Sequence, residues 1–403
     1  MKKPLGILSE GVLRMTKVGI VHHKLLARGG GEFLSVVTIN ALKDAGFDVW
    51  LISNDPSLDN IRKSIKDSYA RDLVVDKHIK PCYGLLSKVN KFSLYQRIFV
   101  TLTARKLLEK GLVDLIINTH GDMVPFSMKG KYILYCHYPT SIAIMESPRY
   151  KKFPLNIYAK PYVFLLKKWR PEGTELILTN SNFTRRKIKE VWGVDAIVVY
   201  PPVDIGSFFN DKQNNRRPYV ISVGRFVREK RFEVIIRAFA KVANEFKEAK
   251  LYLVGSSQAT GSLYYIRELR NIAEKLGVGD KVIIKTDVPF DELINLLGKS
   301  KIYVHAMINE HFGISVVQAM ASGLATIVHK SGGPYEDIIE RGKWGMAFET
   351  VAQLSEHIYS LLENESLWRH YSSLSLKRAP IFSEEEYKVK IIQHVDKLLM
   401  DNA

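Results

Sequence analysis

The chain has 403 residues, 46% hydrophobic and 25% charged, a balance that excludes a disordered polypeptide and allows two or three cores. No run of about 18 apolar residues occurs, so no bilayer span is predicted, and Cys82 and Cys136 fit no CxxC metal or redox spacing, which suits a reducing, cytosolic setting. The formal charge is +17, with +14 carried by residues 1–210 and +3 by the rest, so the front half attracts phosphate-rich partners, whether nucleic acid, anionic lipid heads or phosphorylated small molecules.

Residues 1–16 read as a short N-terminal extension, because Glu10 interrupts their apolar stretch. From Lys17 short β-branched runs alternate with helical patterns: strands at 17–23 and 47–53 flank a helix at 31–46, and further strands follow at 113–120, 131–138 and 175–181. After "IVVYPPV" (197–203) the rhythm breaks, and the polar stretch "DKQNNRRP" (211–218) reads as a linker. The alternation then restarts, with strands at 219–224, 250–255, 281–285, 301–306 and 325–330 and helices at 231–247, 263–276 and 313–322. A helical tail starts near Ser383. The predicted fold is therefore α/β, with two Rossmann-like domains, 17–210 and 219–380, and a C-terminal segment at 381–403. Two such domains are expected to leave a cleft between their strand ends, where doubly wound sheets place ligands.

Glu310 lies in "NEHFGISVVQAM" (309–320), between a strand and a helix whose first amides favour an anion. A carboxylate there would repel phosphate but accept hydroxyls of a neutral polyol; the plain alternative is an acid that steadies the helix N-terminus. In "GRFVREKR" (224–231), Arg225 and Lys230 are placed to neutralise a diphosphate leaving group, or else form a solvated basic loop. "ARGGGEF" (27–33) is a turn in which Gly30 and Gly31 allow close backbone approach to a ligand, and "HKSGGPYEDII" (329–339) repeats that logic with Gly332 and Gly333. His137 ends a strand and is a candidate to donate to a substrate oxygen or shuttle a proton, against a purely structural role. No His spacing suits a metal, so no protein metal site is expected.

Residues 149–170 hold seven Lys/Arg, no acid and six aromatic rings. Lys151, Lys152, Lys167, Lys168 and Trp169 are its candidate membrane or acceptor contacts. An anionic membrane surface fits this mixture first, a partly buried segment with a solvated face second, and single-stranded nucleic acid last.

Taken in order, "GGGE", "TNSNFTR", "VYPPVD", "GRFVREKRFEVIIRAFA", "LVGSS", "NEHFGISVVQAMASG" and "SGGPYEDII" resemble the retaining glycosyltransferases of family 4, over residues 17–345. The resemblance implies a GT-B fold, with the C-terminal helix crossing back to the first domain. Within that family, "CHYPTS", "PFDEL" and "NEHFGISVV" look most like the branch that extends lipid-linked oligosaccharide with mannose from GDP-mannose. It implies that Glu310 holds donor-sugar hydroxyls, that amides of Phe312, Gly313 and Ile314 meet sugar and diphosphate, and that Arg225 and Lys230 stabilise the departing nucleoside diphosphate. His137 would be the front-domain histidine facing the donor, Gly30 and Gly31 would face the diphosphate and reacting sugar, and the base would sit near 284–289, including Val288. Gln318 stands where the family usually has a second glutamate for the ribose; its amide oxygen still accepts a hydrogen bond, without the charge. No cofactor or metal is implied, and the expected setting is the cytoplasmic face of a membrane. Two further readings stay open: a UDP-sugar enzyme with a phospholipid, polysaccharide precursor or soluble sugar as acceptor, and a basic membrane- or nucleic-acid-binding protein with a degenerate transferase site.

Overall fold

The computed structural model describes residues 5–7, 13–27, 29–81, 93–122, 130–146, 148–151, 153–168, 175–211 and 216–400. Cys82, Lys152 and Trp169 lie outside them, as do the centre of the expected linker and much of the N-terminal extension. The chain forms two compact units, one of residues 1–202 with 385–403, the other of residues 203–384.

Within the N-terminal extension β1 (Leu5–Ile7) pairs antiparallel with β2 (Leu13–Met15). The main sheet of the first unit holds β3 (Lys17–Val21), β4 (Asp48–Ile52), β5 (Lys77–Ile79), β6 (Leu115–Asn118), β7 (Lys131–Cys136), β8 (Glu175–Thr179) and β9 (Ile197–Val198). They are parallel throughout, in the order β5-β4-β3-β6-β7-β8-β9. Parallel strands need helical crossovers, which cover both faces and make each strand an unbroken apolar run. Val18, Ile20, Val49, Leu51, Leu115, Ile117 and Ile133 are accordingly buried. The helices that matter below are α1 (Gly30–Asp44), α2 (Thr140–Glu146) and α3 (Leu155–Lys168).

The second unit repeats the plan with β10 (Arg217–Val223), β11 (Lys250–Gly255), β12 (Val282–Thr286), β13 (Ser300–His305), β14 (Ala325–His329) and β15 (Met346–Phe348), in the order β12-β11-β10-β13-β14-β15. Its sheet is also parallel. α4 (Phe232–Ala240) and α5 (Ile314–Ala321) follow β10 and β13. The expected helix at 231–247 stops at Ala240, because the next residues tighten into i to i−3 bonds, Lys241 N to Ala238 O and Val242 N to Phe239 O. The Lys281 ammonium draws the Ala243 and Phe246 carbonyls aside.

The units divide at Pro202/Val203, ahead of the stretch 211–218 that reads as a linker. Arg216 ties that stretch into the second unit: its guanidinium is buried and donates to the carbonyls of Ser300 at 2.7 Å and Leu297 at 3.2 Å. Polar composition looks the same in a linker and in a loop pinned by a buried arginine. The last helix, α6 (Glu384–Met400), packs into the first unit. Tyr387, Ile391 and Val395 share one helical face and join its core, and the hydroxyls of Tyr387 and Thr38 hydrogen-bond at 2.6 Å.

Candidate active site

In each sheet the strand order reverses at one place, between β3 and β6 and between β10 and β13. At such a switch point the crossovers leave in opposite directions and open a crevice at the strand ends. Glu310, Lys230, Arg225 and His137 lie at these two places; Val288 lies beyond the edge strand β12, and the basic-aromatic segment lies elsewhere.

In the second unit β10 and β11 converge so tightly that a side chain on Gly255 would begin 1.7 Å from the Gly224 carbonyl oxygen. The chain then turns through Arg228–Lys230 and lays the Lys230 stem across Gly224, where an added Cβ would stand 3.3 Å from Lys230 Cδ. Lys230 Nζ donates to Glu310 Oε2. Arg225 is exposed on the same turn and makes no ion pair among the described residues.

Glu310 follows β13 through a turn with Asn309 at φ +53°. That turn is held from behind by the end of β14: Asn309 N donates to Ser331 Oγ at 2.9 Å, and Gly333 N donates to Glu310 O at 2.8 Å. A Cβ on Gly332, itself at φ +74°, would lie 2.4 Å from Glu310 O, and one on Gly333 would lie 2.4 Å from His311 O. These glycines therefore admit the Glu310 and His311 backbone, a packing role that the sequence reading of Gly332 and Gly333 did not include.

The Glu310 carboxylate also accepts from His311 N at 3.3 Å, and His305 Nε2 stands 3.4 Å from its other oxygen. Burial pushes this carboxyl upward, but His305 and the Lys230 ammonium outweigh it and hold it well below the usual carboxylate range. Burial lowers His305, so at neutral pH its ring is uncharged and Lys230 supplies the compensating charge.

Gly313 caps α5 at φ +103°, and the first intrahelical bond runs from Val316 N to Gly313 O at 2.9 Å. The amides of Ile314 and Ser315 come before that bond, at the positive end of the helix. Phe312 itself is buried, packing edge-on against Phe382. Gln318 is half-buried one turn into α5. Val288 is half-buried beyond β12, after Asp287, whose carboxylate accepts from Ser257 N at 3.3 Å and so joins the loops that follow β11 and β12.

In the first unit His137 follows β7, and its Nε2 lies 2.8 Å from the Thr119 carbonyl. A carbonyl only accepts, so Nε2 carries the proton; burial lowers the ring's pKa, leaving a neutral imidazole whose Nδ1 is an acceptor. This narrows the sequence expectation, because Nε2 is already engaged with the Thr119 carbonyl and Nδ1 can only accept. Gly31 sits beside it, with an added Cβ at an ordinary 3.5 Å from Nε2, while Gly30 is exposed.

The sequence reading passed over the groups around this histidine. His22 follows β3; its Nδ1 meets Ser35 Oγ at 2.7 Å and Thr119 Oγ1 at 3.1 Å, and its Nε2 lies 3.6 Å from Glu32 Oε1 and 3.3 Å from His120 Nδ1. Burial raises the Glu32 carboxyl, but its His22 contacts win and lower it. Burial also lowers His120 strongly and His23 to about 3. The usable signal was position: His22 and His120 directly follow the two strands that flank the switch point.

Of the basic-aromatic segment, Lys151 is exposed; Lys167 and Lys168 belong to α3, with only their backbone described. Among the described residues no group of three His, Cys, Asp or Glu side chains is arranged for a metal, and no helix is long and apolar enough to cross a membrane.

Two family models divide the chain where the structure does. "Glycosyltransferase Family 4" matches residues 28–207 and "Glycosyl transferases group 1" matches 206–377. The two models together match residues 28–377, so the chain is built from glycosyltransferase domains. Among its relatives, the mouse GDP-Man:Man(3)GlcNAc(2)-PP-Dol alpha-1,2-mannosyltransferase is 35% identical over 245 residues, 56% of this chain and 49% of that protein. This chain thus spans about half the length of that mouse relative. The Xenopus laevis protein of the same name is 29% identical over 98% of this chain and 90% of its own length. A glycosyltransferase structure from Rickettsia africae matches with a TM-score of 0.66 at 17% identity, covering 96% of this chain and 99% of that one, which shows the shared GT-B fold.

Proposed function

We propose that this chain is a retaining mannosyltransferase that moves mannose from GDP-mannose to a lipid-linked oligosaccharide at the cytoplasmic face of a membrane. The observation that carries the reading is the Lys230–Glu310 pair at the second unit's switch point, beside the first amides of α5. Breaking a sugar–phosphate bond leaves cationic character on the sugar and negative charge on the diphosphate. Lys230 has three N–H donors, so bonding Glu310 with one leaves others for a diphosphate oxygen. Arg225 is a second cation on the same turn, and the Ile314 and Ser315 amides add the helix's positive end. With charge handled this way, the reaction needs no metal or cofactor.

Glu310, already ionised, is suited to accept hydrogen bonds from mannose hydroxyls, and Gln318 to accept one from the ribose as a neutral group. His137, through Nδ1, is suited to accept a hydrogen bond from a sugar hydroxyl. The relatives' printed names supply the donor and the acceptor. By family resemblance the acceptor hydroxyl attacks the face from which the diphosphate leaves, and the departing oxygen takes its proton.

The test is transfer from a panel of GDP- and UDP-sugars to a polyprenyl-diphosphate oligosaccharide. Mannosyl transfer from GDP-mannose, lost in Lys230→Ala, is the expected result. Turnover of UDP-sugars alone would overturn the donor assignment, and no turnover with any donor would overturn the reading.

A further inference from the structure

One surface of the first unit takes no part in that chemistry. α3 buries Ala159, Tyr162 and Leu166, at i, i+3 and i+7, together with Ile144 of α2. The opposite stripe of α3 is apolar as well: Ile157 is 58% and Phe164 57% exposed, and Phe153, just before the helix, is 79% exposed. Lys160 and Pro161 share that stripe and are exposed too. A surface helix normally pairs its apolar stripe with a polar one; a second apolar stripe calls for an occupant.

The surrounding charge identifies it. Residues 149–170 contain no acid, and Lys151 and Lys160 flank the exposed rings. Two other exposed apolar groups have acids close by: Phe290 precedes Asp291 and Glu292, and Leu263 and Tyr264 share a mixed-charge α-helix, Ser262–Lys275, with Glu268 and Glu274. Aromatic and aliphatic side chains in an acid-free basic frame match the headgroup layer of an anionic bilayer, where rings enter the acyl boundary and ammonium groups meet lipid phosphates.

We propose that Phe153, Ile157 and Phe164 insert into the surface of an anionic lipid bilayer, with Lys151 and Lys160 on its phosphates. The inference builds on the proposed function, since a lipid-linked acceptor lies in that surface. α2, which braces α3, starts at Thr140 immediately beyond the His137 strand end, so the docked face is tied to the strand that carries that histidine.

The test is co-sedimentation of the full chain with vesicles of phosphatidylcholine alone and of phosphatidylcholine with about 30% phosphatidylserine. The wild type is expected to pellet with the anionic vesicles and weakly with the neutral ones. Phe153→Ser/Ile157→Ser/Phe164→Ser should lower the anionic partition coefficient about tenfold or more, with an unchanged melting temperature and unchanged mannosyl transfer to a water-soluble acceptor. Lys151→Glu/Lys160→Glu should weaken partitioning most at low salt. A triple variant that pellets like the wild type overturns the proposal, as does a wild type that ignores anionic vesicles. So does a concentration-dependent dimer that the triple variant abolishes, since a second copy would then cover the face. Vesicle binding by a chain that transfers no sugar to any acceptor would support the docking face while removing the site reading.

Discussion

The two units share one plan, yet their switch points carry different chemistry. In the second unit a buried carboxylate is ionised and matched by a lysine. In the first unit buried histidines, His23, His120 and His137, are held neutral near His22, which pairs with Glu32. The difference follows the chemistry proposed for each: charge develops where the diphosphate departs, whereas an acceptor hydroxyl calls for neutral hydrogen-bonding groups. It also makes the two sites fail in different ways.

The largest effect is expected from Lys230→Ala. Losing a cation from the leaving group should cost about 3 kcal/mol of transition-state stabilisation, roughly a hundredfold in rate. Leaving Glu310 buried without its partner should destabilise the second unit by about 3 to 5 kcal/mol. Adding Glu310→Gln should restore most of the stability and none of the turnover, as measured by thermal melts and transfer assays. A single variant that is stable but slow would show that the pair serves catalysis alone.

Acid should separate the units next. A histidine whose folded pKa is depressed contributes stability that is present above its unfolded value, 6.5, and is lost as pH falls below it. His23, His120 and His137 act in this sense in the first unit. Asp122 opposes them. Burial lifts its carboxyl to about 7, although Thr140 N and Oγ1 donate to it, so its contribution is complete below 3.8 and is lost as pH rises through about 7. In the second unit His305 and His329 are lowered by burial and act in the same sense, whereas Glu310 matters only below its unfolded value of 4.5. The first unit carries the larger set of lowered histidines, His23, His78, His120, His137 and His394 against His305 and His329, so it should lose more stability between pH 6.5 and 5, visible as amide exchange rising first in residues 17–202. Equal acid sensitivity would contradict the neutral-histidine picture.

Glycines sharpen the same contrast. Gly332→Ala puts a methyl 2.4 Å from the Glu310 carbonyl at a positive φ, so it should cost about 2 kcal/mol and displace the carboxylate. Gly31→Ala meets His137 at an ordinary 3.5 Å and should change stability by less than about 0.5 kcal/mol. The smallest loss with a defined site is Tyr387→Phe, which removes the hydrogen bond to Thr38 and should cost the first unit about 1 kcal/mol. Melting of the second unit should not change.

Much of this was legible in the sequence, for identifiable reasons. Parallel strands buried on both faces appear as apolar runs, so β13, read as 301–306, spans Ser300–His305. Glu310 and Lys230 stood out as charges at strand-to-helix junctions, and their meeting depends on Gly224 and Gly332, whose roles only backbone packing reveals. His22 and His120 stayed hidden because their contacts with each other and with Thr119 join residues about a hundred positions apart through strand order, and Glu32 joins the group only through His22. The boundary at Pro202/Val203 was missed because Arg216 makes a polar stretch part of a core.

The central claim is a division of labour, with Lys230 gripping the diphosphate and Glu310 the hexose. Calorimetric titration of GDP and of GDP-mannose into the wild type, Lys230→Ala and Glu310→Gln tests it most directly. The account predicts that Lys230→Ala weakens both ligands, whereas Glu310→Gln weakens GDP-mannose about tenfold or more and leaves GDP as tight as before or tighter. Equal losses for both ligands in Glu310→Gln, or no loss for either, would contradict it.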